Sequence, residues 1–263
     1  MKNRLDVLLF ERGLAESRER AKALVMSGDV FVGGSRAQKP GMQIDEDAEI
    51  EIRGIRLEYT SRGGLKLEKA LQVFDVKPEG RICIDCGAST GGFTDCLLKS
   101  GAKMVYAVDV GYGQLAWSLR CDERVVVMER TNIRYVTDEM FAVKPSLAVI
   151  DVSFISLKLV LPVVRGILTD DGEVICLIKP QFEAGRDLVN KGVIRDPQTH
   201  KAVLDTFLQN AADAGFYVKN LTFSPVTGPK GNIEYLAHLA LYEVHEKIDT
   251  GAVVAQSHEE LMQ

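Results

Sequence analysis

Hydrophobic residues recur with both helical and strand periods along this chain, and the order in which the two periods follow each other changes near residue 60. Up to residue 58, leucines at helical spacing predict a first short helix, and a second runs from an N-cap at Ser17 to Gly28. Short antiparallel strands are predicted next, from the apolar run 30–32 and the alternating stretch 44–52. Two helices and a few strands make a small α+β unit with a limited core of its own.

Beyond residue 60, apolar runs alternate with helical segments, beginning with a helix that Ser61 can cap and that continues to Phe74. The predicted strands are 81–85, 104–109, 125–128, 147–151, 174–178, 217–223 and 235–242. The predicted helices that follow them are 93–99, 114–119, 157–168 and 197–214. This alternation indicates an α/β domain with a mostly parallel sheet. The predicted domains are therefore 1–58 and 59–246, followed by a C-terminal tail, 247–263, to which the pattern assigns no role.

Composition places the chain among ordinary globular proteins. It has 263 residues, of which 46% are hydrophobic and 26% charged, and its formal net charge is −5. No stretch reaches the ~18 apolar residues of a membrane span, and the N-terminus lacks the apolar segment of a secretory signal. The five cysteines and four histidines have no metal-site spacing. We therefore expect a cytoplasmic protein with no membrane span and no metal.

Charge is spread unevenly between the two parts. Residues 1–41 carry eight basic and five acidic side chains, a net charge of +3, so the rest of the chain sums to −8. A basic front on an acidic protein suggests a local contact with a polyanion. Any one of these arginines taken alone is better interpreted as part of a solvated helix face.

The first strand of the predicted sheet runs into a glycine-rich segment, 85–94, that opens the next helix. Glycines let the backbone approach a ligand closely. A dinucleotide would want a glycine where Ser89 stands, whereas S-adenosylmethionine needs room for its methionine part and a carboxylate for its ribose. Asp109, 22 residues beyond Gly87, ends the second strand and is such a carboxylate. These residues alone favour S-adenosylmethionine moderately over a dinucleotide.

Four motifs of the second part resemble a single family. They are DxGASTGGFT at 85–94, DVSFISL at 151–157, IKPQFE at 178–183 and GNIEY at 231–235. They are similar to the TlyA hemolysin/ribosomal RNA methyltransferase family, which joins an S4 RNA-binding domain to an FtsJ-like (RrmJ-like) methyltransferase domain. The leucine, arginine and glycine pattern of residues 2–52 resembles that S4 domain. The resemblance implies a Rossmann-like S-adenosylmethionine-dependent methyltransferase domain with a mostly parallel sheet, preceded by a small α+β S4 domain.

The resemblance also implies a reaction and its residues. The reaction is methyl transfer from S-adenosyl-L-methionine to the 2′-hydroxyl of a cytidine ribose in ribosomal RNA, on ribosomal subunits. The family's catalytic tetrad falls on Lys66, Asp151, Lys179 and Glu234. The implied cofactor-binding residues are Asp85, Gly87, Ser89, Thr90, Gly91, Gly92, Phe93 and Asp109, to which position near a strand end adds Glu129 and Asn132. The implied RNA-binding residues are Arg4, Arg18, Arg20, Lys22, Arg36 and Lys39.

Lys179 is the predicted general base. It ends a buried apolar strand, where a lysine costs stability unless it has a partner or a task. Lys66 would otherwise read as a solvated helix residue, and Asp151 as the cap of a turn. Asp151 and Glu234 are expected to orient Lys179 and the hydroxyl group.

Two other functions compete with this one. The first is a non-catalytic RNA-binding factor for ribosome assembly, against which the intact tetrad and glycine-rich segment argue. The second is a hemolysin-type membrane-active protein, against which the absence of an apolar span argues.

Overall fold

The computed structural model describes residues 2–15, 17–52, 58–185, 192–244 and 247–261. Contacts between residues divide the chain into two compact units, 1–57 and 58–263. The boundary expected from the sequence lies one residue away from this division.

The first unit combines two helices with short strands. Its elements are β1 (Lys2–Arg4), α1 (Leu5–Glu11), α2 (Arg18–Ser27), β2 (Val30–Val32), β3 (Ser35–Arg36), β4 (Gln43–Asp45) and β5 (Ile50–Ile52). β1 pairs with β4, and β2 pairs with both β3 and β5, all antiparallel. Apolar side chains of both helices bury against the strands, with Leu5, Leu9, Ala21 and Val30 fully buried.

The stretch 44–52 does not form the single strand region that the alternation predicts. It contributes Ile44 to β4 in one sheet and Ile50 to β5 in another. A turn closed by the Ala48 N–H donating to the Asp45 carbonyl separates the two strands. Alternation alone does not reveal such a turn, because it continues through the polar residues between the strands.

The second unit holds seven strands among its described residues. Its elements are α3 (Gly63–Phe74), β6 (Ile82–Cys86), α4 (Gly92–Lys99), β7 (Met104–Val108), α5 (Trp117–Arg120), β8 (Val125–Met128), β9 (Leu147–Ile150), α6 (Leu157–Ile167), β10 (Glu173–Ile178), α7 (Pro180–Glu183), α8 (Pro197–Asp213), β11 (Tyr217–Phe223), β12 (Tyr235–Ala240) and α9 (Thr250–Leu261). The strands form one sheet in the order β11-β12-β10-β9-β6-β7-β8. β12 is antiparallel to both of its neighbours, and the pairs from β10 to β8 are parallel. The predicted α/β class with a mostly parallel sheet is confirmed.

Helices cover both faces of this sheet, and the strand residues alternate between the two apolar layers. Ile84 and Ile150 face the layer that contains α6 and α8, while Cys83 and Val149 face the layer that contains α3 and α4. Such burial on both faces explains why the strands read as continuous apolar runs. Among the residues that the structure describes, no helix combines the length and the apolarity needed to cross a bilayer.

One predicted helix needs correction, and the C-terminal tail contains a helix that the pattern did not predict. The helix predicted at 114–119 is a single turn, α5, which begins at Trp117. The tail 247–263 contains a helix of twelve residues, α9, in which Val254 and Ser257 are buried. α9 packs on α8 and β11, so this segment is part of the second unit's fold.

The order of strands reverses at β6, whose neighbours are β7 on one side and β9 on the other. The chain leaves these adjacent strands toward opposite sides, which opens a crevice at their carboxyl ends. Ligands of open α/β sheets bind in such a crevice. The fold therefore locates the candidate site at the segments after β6 and β9.

Candidate active site

Chemically active side chains from distant parts of the chain meet at this edge of the sheet. Asp109, Asp151 and Lys179 lie at the carboxyl ends of β7, β9 and β10. Glu234 immediately precedes β12, and because Ile178 pairs with Tyr235 in antiparallel register, Glu234 reaches the edge beside Lys179. β12, which runs opposite to β10, thus brings the carboxylate of Glu234 to an edge that is otherwise formed by the carboxyl ends of parallel strands.

Lys66 of α3 and Glu234 form a buried ion pair. Lys66 Nζ donates to Glu234 Oε2 at 2.6 Å, and the two side chains are 11% and 0% exposed. The other carboxylate oxygen, Oε1, has no hydrogen-bond partner among the described residues. A Cβ on Gly228 would lie 2.1 Å from that oxygen, so the backbone there comes close to the carboxylate because residue 228 is glycine.

Lys179 and Asp151 form the second ion pair of the site. Lys179 Nζ lies 2.5 Å from Asp151 Oδ1 and donates to Ser153 Oγ at 2.9 Å. The contact with Asp151 is an ion pair without the alignment of a hydrogen bond. Lys179 is 8% exposed, so its amine is held at the edge by two groups of the segment that follows β9.

That segment, 151–157, is fixed to α7, the helical turn that begins directly after Lys179. Ser156 Oγ donates to Glu183 Oε2 at 2.6 Å, and the Leu157 N–H donates to Glu183 Oε1 at 2.9 Å. Burial raises the pKa of Glu183, and these two hydrogen bonds oppose the shift. The rings of Phe154 and Phe182 lie 4.9 Å apart. Lys179 and Asp151 are therefore carried by two segments that are bound to each other.

Phe154 is unusual in both backbone and exposure. Its φ is +64°, a value that costs a bulky residue energy and that clusters at functional sites. Its side chain is 90% exposed. An aromatic ring is thus held out into solvent beside Lys179 and Asp151.

The glycines of the segment after β6 have separate tasks. A Cβ on Gly87 would lie 2.5 Å from the Asp151 carbonyl oxygen, so this glycine allows the segments after β6 and β9 to touch. Gly91 has φ +95°, and its Cβ would meet Leu119 at 2.2 Å and Leu115 at 2.9 Å. Gly92 allows α4 to approach Ser61 and the start of α3. Gly91 thus faces side chains around α5, whereas Gly87 and Gly92 line a cavity.

Two adjoining cavities open at this edge. The first, of about 380 Å³, is lined by Lys66, Asp151, the glycine-rich segment and the turns 61–63 and 226–228. The second, of about 660 Å³, is lined by Asp109, Asn132 and the segment 151–156. Gly87, Ser89 and Asp151 line both. Their sizes lie within the range of ligand pockets, and Asp151 stands where they join.

Asp109 organises the wall of the second cavity. Its Oδ2 accepts from the Ser89 N–H at 2.8 Å and its Oδ1 from the Gly111 N–H at 2.6 Å. Asn132 also lines this cavity, and its side chain caps the following turn by accepting from the Arg134 N–H at 3.1 Å.

Three of the predicted cofactor-binding residues, Asp85, Gly91 and Glu129, lie outside both linings. Glu129 pairs with Arg120 at 2.5 Å and accepts from the Gly113 N–H at 2.8 Å. Asp85 is fully buried beneath the segment and accepts from Thr94 Oγ1 at 2.6 Å. Burial raises the pKa of Asp85 to about 7, although the hydrogen bond from Thr94 opposes the rise. The remaining predicted cofactor residues line one cavity or both: Gly87, Ser89, Thr90, Gly92, Phe93, Asp109 and Asn132.

The predicted RNA-binding residues lie in the first unit and differ in their surroundings. Arg4 and Arg18 both reach the buried carboxylate of Asp6. Lys22 and Lys39 are exposed, and the exposed guanidinium of Arg36 lies against Gly28. Arg20 belongs to α2, and its side chain lies outside the described part of the structure.

Several lining residues were missed by the sequence interpretation. They are Arg62, Gly63 and the turn 226–228 in the first cavity, and Gln114, Arg134 and Leu159 in the second. The turn 226–228 lies just before the GNIEY motif, and its closeness to Glu234 was the one signal that could have indicated it. Arg62 and Gly63 belong to the segment 61–67 that carries Lys66, whereas Gln114, Arg134 and Leu159 belong to no motif and reach the site through the fold alone.

Comparison with known proteins agrees with this geometry. The family model of FtsJ-like methyltransferases matches residues 59–241, and that of the S4 domain matches residues 3–50. A Bacillus subtilis protein that bears the name rRNA methyltransferase YqxC is 57% identical over 90% of this chain and 85% of its own length. The 16S/23S rRNA (cytidine-2′-O)-methyltransferase TlyA of Mycobacterium tuberculosis is 44% identical over 90% of this chain and 89% of its own.

A solved structure shows the same architecture. A Streptococcus thermophilus protein described as a hemolysin is 51% identical, covers 99% of this chain and 97% of its own, and has a TM-score of 0.80. The names of the relatives thus include both rRNA methyltransferase and hemolysin. The two family models give one domain order, an S4 domain followed by an FtsJ-like methyltransferase domain. The chain belongs to the FtsJ-like methyltransferase family, with an S4 domain ahead of the methyltransferase domain.

Proposed function

We propose that this protein transfers a methyl group from S-adenosyl-L-methionine to the 2′-hydroxyl of a cytidine ribose in ribosomal RNA, on ribosomal subunits. The observation that carries the proposal is the meeting of two lysine–carboxylate pairs, Lys66 with Glu234 and Lys179 with Asp151, at one edge of the sheet. The cytidine specificity is supported by the TlyA relative, which is named for that reaction.

The described residues fit the cofactor. Asp109 presents a carboxylate in the second cavity, as recognition of ribose hydroxyls requires. Gly87 and Ser89, which have small side chains or none, line both cavities. S-adenosylmethionine supplies an electrophilic methyl group on a sulfonium sulfur.

The chain's own residues then have to orient and deprotonate a poor nucleophile. Lys179, once it has given up one proton to solvent and is a neutral amine, would accept the proton of the 2′-hydroxyl at Nζ while that oxygen takes the methyl group that the bound cofactor would supply, with the cofactor's sulfur as the leaving group. Asp151 and Ser153 fix the position of that amine, and Lys66, held by Glu234, lines the same cavity as Asp151. Alignment of this kind can supply several kcal/mol of the barrier, and a positioned base about 10²–10⁴-fold in rate.

The test is methyl transfer from labelled S-adenosylmethionine to ribosomal subunits isolated from cells that lack this protein, followed by mapping of 2′-O-methyl groups. We expect label on cytidine ribose. Failure to transfer label would leave a non-catalytic RNA-binding factor as the better explanation. Label on a base, or on ribose of another nucleotide, would contradict the proposed reaction.

The role of Lys179 has its own test. Lys179→Arg keeps the positive charge and removes the ability to accept a proton, because guanidinium is not deprotonated in proteins. Single-turnover methyl transfer should be lost while cofactor binding persists. Turnover near that of the unaltered protein would limit Lys179 to a positioning role.

The relatives described as hemolysins call for a direct comparison. The purified protein, free of detergent, is added to liposomes that contain a fluorescent dye. Under the proposed function the liposomes stay intact at concentrations that saturate methyl transfer, and dye release at those concentrations would support a membrane-active protein instead.

A further inference from the structure

Asp6 of α1 is a carboxylate with 0% exposure. A buried carboxylate is costly unless it is paired and hydrogen-bonded. Arg4 supplies the pairing through two parallel hydrogen bonds, Nε to Oδ1 and Nη2 to Oδ2, both 2.9 Å. Arg18, from α2, adds a longer ion pair of 3.6 Å to Oδ2.

The side chains of Arg4 and Arg18 are partly exposed to solvent. Their side chains are 46% and 49% exposed, although each touches a carboxylate that has no exposure at all. A guanidinium has five N–H donors, and Asp6 engages two of those of Arg4. The other donors of the pair can therefore meet an external acceptor.

The backbone around Asp6 is fixed on every side. The Leu5 N–H donates to the Met42 carbonyl and the Asp6 N–H to the Pro40 carbonyl, at 3.0 and 2.9 Å. Arg4 itself is paired with Gln43 between β1 and β4. The backbone that carries Asp6 is therefore fixed, and through it the carboxylate fixes the position of the two guanidinium groups.

Arg12 provides the contrast within the same unit. Its guanidinium donates to the backbone carbonyls of Ala48 and Glu46, which fastens α1 to the turn between β4 and β5. Arg12 therefore stabilises the fold, whereas Arg4 and Arg18 both contact the carboxylate of Asp6 and remain partly exposed to solvent.

We infer that Asp6 is a positioning residue, which sets Arg4 and Arg18 side by side as a pair of guanidinium groups that grips the phosphate backbone of RNA. The inference rests on the proposed function, since it takes RNA as the partner of the first unit. Two cations around one carboxylate leave a net positive charge for phosphate, and fixed guanidinium groups lose less freedom when they bind.

A positioning role of Asp6 and a simple effect of its charge predict opposite changes in RNA affinity. Asp6→Asn removes a negative charge from a surface that binds a polyanion, which by electrostatics alone would tighten binding. If Asp6 positions the arginines, the same change weakens binding, because Asn accepts at one oxygen only and holds no bidentate arginine. The matched control is Glu11→Gln, which makes the same change of charge at an exposed position of the same helix.

The experiment uses the full chain and ribosomal RNA extracted from cells that lack this protein, with binding measured over a series of salt concentrations. We expect about five- to tenfold weaker binding for Asp6→Asn and a salt dependence reduced by about one phosphate contact. Glu11→Gln should bind as tightly as the unaltered protein or slightly more tightly. In methyl transfer, the KM for RNA should rise by a larger factor than kcat falls.

Binding by Asp6→Asn as tight as that of the unaltered protein, with the same salt dependence, would overturn the inference and leave the proposed function intact. Absence of RNA binding by the unaltered protein would overturn the proposed function itself. If thermal unfolding shows that Asp6→Asn destroys the first unit, Arg4→Lys decides, since it keeps the charge and loses the bidentate geometry. Weaker RNA binding by folded Arg4→Lys supports the inference, and unchanged binding refutes it.

Discussion

Lys66 and Glu234 stand 168 positions apart in the chain, and their side chains meet at 2.6 Å inside the second unit. This pair connects the first helix of the unit to the start of its last strand. Because Glu234 is fully buried, removal of its partner leaves an uncompensated charge, which typically costs about 3–5 kcal/mol.

Lys66→Met should therefore destabilise the second unit by about that amount, measured as the free energy of unfolding in urea. Lys66→Met combined with Glu234→Gln should recover a large part of the loss, since no charge remains buried, while methyl transfer stays absent in both. A double variant that is less stable than Lys66→Met would contradict the idea that the buried charge dominates the cost.

Asp109→Ala should weaken the binding of S-adenosylmethionine by roughly 1–3 kcal/mol, the usual contribution of a hydrogen bond to a charged group. The matched control is Glu129→Gln, because Glu129 follows the neighbouring strand but pairs with Arg120 away from the cavity. Calorimetric titration with the cofactor checks both variants. Equal affinity of Asp109→Ala and Glu129→Gln would remove Asp109 from the cofactor site.

Gly91→Ala should lower stability more than Gly113→Ala does. Both glycines have positive φ, +95° and +70°, so each substitution carries a backbone cost of about 1 kcal/mol. A Cβ at Gly91 additionally lies 2.2 Å from Leu119, which adds an overpacking cost of ~1–3 kcal/mol, whereas nothing lies within 4 Å of a Cβ at Gly113. Urea unfolding of the two variants measures the difference, and equal losses would mean that Leu119 moves aside freely.

Phe154→Ala should reduce methyl transfer and RNA affinity without changing cofactor affinity. An exposed aromatic ring beside the candidate base can stack on a nucleobase, a contact of about 1–3 kcal/mol. Tyr217→Ala serves as the control, since that exposed aromatic residue lies on β11 at the edge of the sheet. Unchanged KM for RNA in Phe154→Ala would leave the positive φ of this residue without a functional explanation.

Because the pKa of Asp85 is raised in the folded protein, we expect the free energy of unfolding to depend on pH. Its folded-state pKa of about 7 lies above that of an unfolded aspartate, so the folded state binds more protons between pH 4 and 7. The contribution of this group to stability therefore falls as pH rises through that range, at no more than about 1.4 kcal/mol per pH unit. Asp85→Asn should remove the fall, and chemical unfolding at pH 4.5 and pH 7.5 compares the two proteins. An identical change with pH in both would show that Asp85 does not titrate there.

Much of the second unit could be predicted because its signals are local. Strands such as 147–150 are continuous apolar runs, and Asp151 and Lys179 stand directly after such runs, so the parallel sheet brings them to one edge. The direction of β12 could not be predicted, because an apolar run looks the same in both directions. The position of Glu234 beside Lys179 depends on that direction.

The missed features depend on tertiary contacts. α9 is held partly by polar groups: Tyr235 Oη contacts His200 Nδ1 at 2.8 Å and Ser257 Oγ at 3.1 Å. A pattern of apolar residues does not register such a contact. Gly91 belongs to a glycine-rich motif, yet its task is to leave room for Leu119, a residue 28 positions away, which no reading of the motif reveals.

The antiparallel entry of β12 has a consequence for the order of events during synthesis. Lys66, Asp151 and Lys179 are translated before residue 234, and contacts between positions that are distant in the sequence form slowly. The nascent chain therefore lacks the carboxylate of Glu234 at this edge of the sheet until β12 is inserted.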